Sequence, residues 1–311
     1  VKTTNPPTDA QERAILHSVL YASVFDYPLT SEQLHESLLH VRAKPSSIAA
    51  WYAASEALRA AIEHRDGYFF PRGRRDLLDV RHAREGSSRT VLQNLQRPLA
   101  LVVRMPFVRM VAVSGSLAHL NAESGADLDL FVITARGRVW AVTTTIIALA
   151  RVFGWRDRLC LNYVISEDQL AVSPRDLFSA NQIIHLRPVS GIAMYKEFVE
   201  ANPFVAHYYP NFQPRAIRVA EQRRRLTAAI EWLLDRTIAP LYERCCRGAY
   251  RWYLCRRASS WQSRDQVRLE AECLKLHTTS HRQSVMERFE AAVAEAARSR
   301  PAAAVHAQVA R

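Results

Sequence analysis

The sequence predicts an α/β core, a short mixed sheet with helices, between an N-terminal module of three helices and a hairpin and a C-terminal helical region. Three observations predict it. Between Arg109 and Ser166, apolar runs rich in β-branched residues give the order strand, short helix, strand, helix, strand, which is an α/β pattern. Ahead of them, apolar residues recur at helical spacing and lead into an aromatic run with a turn signal. Beyond Asn181 the pattern reads as helical.

A chain of 311 residues exceeds one typical core and implies about two domains. The reading places an N-terminal module at 10–76, the α/β domain with a connecting helix at 77–180 and the helical region at 181–298. Residues 1–9 and 299–311 read as disordered. The apolar fraction of 49% supplies a substantial core.

In the N-terminal module, Ile15, Leu16, Val19, Leu20 and Val24 set a helical period from Glu12 onward. "FDYPLT" ends that helix, and Thr30 with Gln33 has the spacing of a capping box that opens a second helix, through Leu39. A third helix spans Lys44 to Ile62, with Pro45 in its first turn. "EHRDGYFFPRGR" reads as a hairpin turning at Asp66-Gly67. Three helices and a hairpin resemble a winged helix-turn-helix. The third helix would read the major groove, yet its only basic residues are Lys44 and Arg59. Arg65, Arg72, Arg74 and Arg75 beside the hairpin are the candidates for phosphate contact.

Residues 77–105 read as connecting helix, "RMVAV" as a buried strand, "LDLFVIT" as a second, 138–153 as a helix and "RLCLNYVIS" as a third strand. The apolar stretch Val139–Trp155 contains three threonines and Arg151, which predicts a buried helix rather than a membrane span. The opening "VKTTNPPTDAQERA" has no apolar signal core, so a cytoplasmic protein without a transmembrane segment is expected. Five cysteines, an odd number without repeating spacing, argue against a disulfide framework.

Net charge is +12, and only four of the 42 basic residues are lysine. From Arg215 to Arg268 there are 13 arginines and five acids, interleaved with aromatics in "YERCCRGAYRWYLCRR". Such a surface suits nucleic acid or another anionic surface.

The chemistry-bearing stretch is Val113–Thr134, "VSGSLAHLNAESGADLDLFVIT". In a strand, residues i and i+2 share a face about 6.5–7 Å apart, so Asp127 and Asp129 project together while Leu128 and Leu130 point into the core. Two adjacent carboxylates repel, and burying them unpaired is costly. A hard divalent cation resolves the conflict, and Mg²⁺ shares its oxygen ligands with substrate phosphates. Gly115 permits close backbone approach, the following helical turn aims N–H groups outward, and the Ser116 hydroxyl adds a bond to phosphate.

An apolar strand, Gly115-Ser116, ten residues and then Asp127-Leu128-Asp129 within a strand resembles the nucleotidyltransferase superfamily that includes DNA polymerase beta and the minimal nucleotidyltransferases. The resemblance covers about residues 105–170. With the winged-helix-like start and the helical end, the chain is similar to bacterial proteins that carry such a domain. The resemblance implies an α/β nucleotidyltransferase-fold core. It also implies Mg²⁺ or Mn²⁺ at Asp127 and Asp129, a nucleoside triphosphate such as ATP on Gly115 and Ser116, and an acceptor that is a small molecule or a protein side chain. The superfamily's third carboxylate sits on a neighbouring strand, where this sequence has Asn162. An amide cannot take a proton at neutral pH. Glu167, Asp168 or Glu123 are possible substitutes from loops. A nucleotide-binding regulator without turnover and a nucleic-acid-binding regulator are the alternatives. Cys273, His277 and His281, at i, i+4 and i+8 of an expected helix, are a weaker metal candidate, and His119 is expected on the surface of the short helix.

Overall fold

A computed structural model of the chain describes residues 7–214, 224–276 and 281–298. The chain forms two compact units, one made of Val1–Ala83, Phe204–Gln213 and His281–Arg311, the other of Arg84–Pro203 and Pro214–Ser280. Residues 1–6 and 299–311 of the termini expected to be disordered lie outside the described residues.

In the first unit, α1 (Asp9–Ser23) begins earlier than its apolar period indicates, because Thr8 and Gln11 form a reciprocal capping box. After β1 (Leu29–Thr30), α2 (Ser31–Glu36) opens on the capping box expected at Thr30 and Gln33, with bonds of 3.1 and 3.2 Å. The third helix expected from sequence is two, α3 (Pro45–Ala54) and α4 (Glu56–Ala61). Ser55 is extended at the break, and its hydroxyl accepts from the Leu58 N–H, so the sequence spends this serine on a new N-cap. β2 (Ile62–Arg65) and β3 (Tyr68–Pro71) form the expected hairpin, and β1 completes an antiparallel sheet of order β1-β3-β2. Leu34, Ile48, Ile62 and Phe69 are fully buried in its core. Arg75 pairs with Glu63 at 2.9 Å, Arg74 with Asp76 at 3.0 Å and Arg65 with Asp66 at 3.7 Å, so three of the arginines nominated for phosphate have carboxylate partners.

The second unit is a mixed α/β structure. α5 (Asp76–Asn94) carries the chain into it, and α6 (Gln96–Val103) follows, dividing the expected connecting helix. Then come β4 (Val108–Val113), α7 (Gly115–Ala118), β5 (Leu128–Thr134), α8 (Val139–Val152) and β6 (Leu159–Ser166), in the order expected. β5 and β6 are parallel, which requires a crossover, and α8 supplies it. α9 (Leu177–Ile184), β7 (Arg187–Ser190) and α10 (Ile192–Glu200) follow. α11 (Phe204–Tyr208) belongs to the first unit. The chain then forms α12 (Arg224–Arg236), α13 (Ala239–Arg256), β8 (Val267–Leu269) and β9 (Cys273–Leu276), and α14 (Arg282–Arg298) returns to the first unit.

The region expected to be helical beyond Asn181 therefore also gives three strands to a six-stranded sheet of order β7-β4-β5-β6-β9-β8. β7 extends the edge beside β4, and β9 with β8 extends the edge beside β6, all antiparallel. Long-range pairing makes these strands; their own sequences are too short to show a period. Val111, Leu130, Val132 and Val164 are buried between the sheet and its helices, with Trp140 and Ile146 of α8 above them. The Glu243 carboxylate of α13 caps α8, accepting from Trp140 N–H at 3.1 Å and Ala141 N–H at 2.7 Å. Among the described residues, no helix is long and apolar enough to cross a membrane.

Candidate functional site

The site is built at one end of the central strands β4, β5 and β6. β4 ends at Val113, and the Ser114 N–H donates to the Asp129 carbonyl at 2.8 Å, tying the turn after β4 to the start of β5. Gly115 follows with φ +64°, a left-handed conformation that favours glycine. A β-carbon there would collide with Oδ2 of Asp129, so the Gly115 backbone lies directly against that carboxylate. Ser114 makes no side-chain cap on α7. Ser116 is half-buried, and its carbonyl accepts from Asn121 N–H at 2.9 Å, which folds the following loop back.

The two aspartates differ in setting. Both were expected inside the strand, but β5 starts at Leu128. Asp127 is exposed just ahead of it, while Asp129 is half-buried within it. Burial, reinforced by the Asp127 charge, pushes the Asp129 carboxyl up to about 6, and a bond from Asn162 works against that rise. The Asp127 charge is thus the smaller contribution, added to the cost of burial.

β6 supplies the flanking wall. Its register runs Leu128↔Leu159, Asp129↔Cys160 and Leu130↔Leu161, then slips to Phe131↔Tyr163. Asn162 is the extra residue of that bulge. Its Nδ2 donates to Asp129 Oδ1 at 2.5 Å. The amide at the expected third-carboxylate position thus orients Asp129. Cys160 is a participant that sequence reasoning missed, and its thiol lies 3.6 Å from Asp127 Oδ2. The signal was present: in "LCLN", alternation puts Cys160 and Asn162 on one face, flanking the aspartates of the parallel neighbour. Burial pushes the Cys160 thiol up to about 11, and the nearby carboxylates add to the rise, so it is a neutral thiol at physiological pH.

The proposed substitutes for a third carboxylate do not converge on this end. Glu167 and Asp168 follow Ser166, which pairs with Thr134 at the far end of β5 and β6. That is about 20 Å along the strands from Asp129. There Glu167 pairs with Arg109 at 3.1 Å and Asp168 with Arg136 at 3.3 Å. Glu123 is exposed in the loop before β5 and pairs with Arg84 at 3.1 Å.

The weaker metal candidate is overturned in its geometry. Cys273 is buried in β9, opposite Ile165 of β6, so it does not share a helix face with His281, which precedes α14. His277 lies outside the described residues. His119 follows α7 and packs its ring edge-on against His185, centroids 4.8 Å apart. Among the described residues, no group of three or more His, Cys, Asp and Glu side chains is gathered to hold a metal ion. The two aspartates are near enough for the Asp127 charge to raise the Asp129 carboxyl, and their oxygens are hard donors of the kind that could hold a divalent cation.

Compared with protein-family models, with curated proteins and with solved structures, the chain matches none.

Proposed function

We propose that the protein transfers a nucleotidyl group from a nucleoside triphosphate to a small-molecule or protein acceptor, with release of pyrophosphate. One observation carries the reading: the left-handed Gly115 backbone lies against the Asp129 carboxylate, which shares its field with Asp127. A glycine turn for phosphate and a carboxylate pair for a cation therefore meet at one strand end.

The donor set fits the cation. Asp127 and Asp129 offer hard oxygen ligands, and the upward shift of Asp129 comes first from burial and then from the Asp127 charge. Mg²⁺ held there would neutralise triphosphate charge and orient the α-phosphate. The chain's own residues do the rest. The absent side chain of Gly115 makes room for the Asp129 carboxylate, and Ser116 offers a hydroxyl to phosphate. Asn162 fixes one oxygen of Asp129, leaving Oδ2 on the Gly115 side. The acceptor oxygen attacks the α-phosphorus, the bond to the β-phosphate oxygen breaks, and the acceptor's proton passes to solvent, because Asn162 cannot accept it.

A second reading draws on that same amide. With Asn162 donating to Asp129 and Glu167 and Asp168 at the opposite end, the site is also suited to bind nucleotide as a regulator without turnover. Pyrophosphate release with each of the four ribonucleoside triphosphates separates the two, with Mg²⁺ and a cell extract as acceptor source. Release that disappears in the Asp127→Ala/Asp129→Ala variant supports transfer. Mg²⁺-dependent nucleotide binding without release across fractionated acceptors supports the regulator. Release that survives in the variant refutes the site.

A further inference from the structure

The outward faces of α12 and α13 have no role in the site just described, and their chemistry is distinctive. α12 is held to its own unit by one face. Glu231 pairs with Arg109 at 2.9 Å, and Leu234 packs into the core. At 3.6 residues per turn, Trp232, Leu233 and Arg236 point the other way. Trp232 is 60% exposed and Leu233 56%. α13 repeats the arrangement. Ala239, Glu243, Cys246, Tyr250 and Leu254 form its inner stripe. Leu241, Cys245 and Trp252 fall on the opposite stripe, Leu241 67% and Trp252 58% exposed. Arg244, Arg247 and Arg251, spaced i, i+3 and i+7, are exposed along one flank of that stripe.

Positive charge dominates this surface, with the exposed Asp235 of α12 paired to Arg138. From Arg236 to Arg264 there are seven arginines and a single acid, Glu243, which is buried beneath α8. The aromatics are tied to that charge, with Arg236 stacked over Trp232 and Arg256 over Trp252, each 4.1 Å from the ring centroid.

We propose that this face docks on an anionic lipid bilayer. Exposed Leu and Trp beside a row of cations is the composition of a helix lying in a membrane interface, with rings at headgroup depth and arginines on the phosphates. No described helix can span, so the attachment is to the surface. A base-stacking nucleic-acid platform fits less well, because arginines already cover one face of Trp232 and Trp252. A second copy of the chain would bring the same positive charge against itself. The inference stands independently of the nucleotide site.

The test is cosedimentation of the full chain with vesicles of phosphatidylcholine containing about 30 mol % phosphatidylglycerol, against pure phosphatidylcholine. The expected result is binding to the anionic vesicles alone, weakened by salt, with a blue shift of tryptophan emission. Arg244→Gln/Arg247→Gln/Arg251→Gln should weaken partitioning about 100-fold, and Leu241→Ser/Trp252→Ser about tenfold or more. Both variants should keep the parent's circular dichroism and melting temperature. Absence of binding to anionic vesicles at low salt overturns the proposal, as does equal binding to both vesicle types. So does undiminished binding by both folded variants, a dimer that forms in place of vesicle binding, or capture of single-stranded oligonucleotide without vesicles.

Discussion

The Asp129 carboxylate presses so closely on Gly115 that a β-carbon at that glycine would collide with Oδ2. Glycine is required there twice, once for φ +64° and once for the contact. Gly137 has nearly the same φ, +65°, but open space around it. Gly115→Ala should therefore lower stability by about 2–3 kcal/mol, and Gly137→Ala by about 1 kcal/mol. Only the first should also lose Mg²⁺-dependent nucleotide binding. Urea unfolding and nucleotide titration of the two variants provide the check. Equal effects on both measurements would remove the contact as a reason for the glycine.

The raised carboxyl of Asp129 makes stability depend on pH with a definite sign. Between its ordinary 3.8 and about 6, the folded chain holds a proton that the unfolded chain has released. This group's contribution therefore falls as pH rises through that window, and its full cost remains above it. A cation at the aspartates would cancel the cost. Mg²⁺ should accordingly raise the melting temperature at pH 8 and have little effect at pH 4.5. Asp129→Asn should melt higher than the parent at pH 8 without Mg²⁺, and gain nothing when Mg²⁺ is added. A parent melting temperature insensitive to Mg²⁺ at pH 8 would count against cation binding by this pair.

Much of this end of the molecule was legible in the sequence. The Gly-Ser turn, the paired aspartates and the strands around them are strong local signals, because burial on both faces demands continuous apolar runs. The part hidden from view was made by distant pairing. "RPVS", "VRL" and "CLKL" become strands only against β4, β6 and each other. Cys273 looked helical because four residues cannot display a period, and its neighbour Lys275 looks exposed by type. Lys275 is buried, with its ammonium 3.2 Å from Gln266 Oε1 and 5.5 Å from the Tyr163 ring centre. The bulge at Asn162 was equally invisible, since register is a property of two strands. Ser55 misled in the opposite direction. Its polar side chain looked like helix surface but serves as the cap that divides α3 from α4.

Asn162 should act on Asp129 more than on a proton in flight. Its Nδ2 bond to Oδ1 holds the Asp129 carboxyl down against burial and the Asp127 charge. Removing that donor with Asn162→Ala should raise the Asp129 value above about 6, measured by carbon-detected NMR titration of the carboxyl. Asn162→Asp should raise it further by adding a third negative charge, lower stability without metal and tighten Mg²⁺ binding. An Asp129 titration unchanged in Asn162→Ala would show that the amide does not set its charge.

The α8 helix rests on a cap that comes from far along the chain. Arg138 precedes it and makes no side-chain cap, so the first N–H groups depend on Glu243, whose two oxygens accept from Trp140 and Ala141. A carboxylate at a helix N-terminus also meets the positive end of the macrodipole. Burial nonetheless pushes the Glu243 carboxyl above its ordinary 4.5, so the charge carries a desolvation cost that the two N–H bonds only partly offset. Glu243→Ala leaves both amides buried without their acceptor and should cost about 2–3 kcal/mol in urea unfolding. Glu243→Gln keeps one acceptor and sheds the buried charge, so it should cost about 1 kcal/mol. Because α13 meets α8 through this cap, Glu243→Ala should also make the chain after Arg236 more susceptible to limited trypsin digestion, cleaved first at the arginines of α13. If Ala and Gln cost the same, the dipole and charge dominate; if neither destabilises, the Trp140 and Ala141 amides have another acceptor and the cap is dispensable.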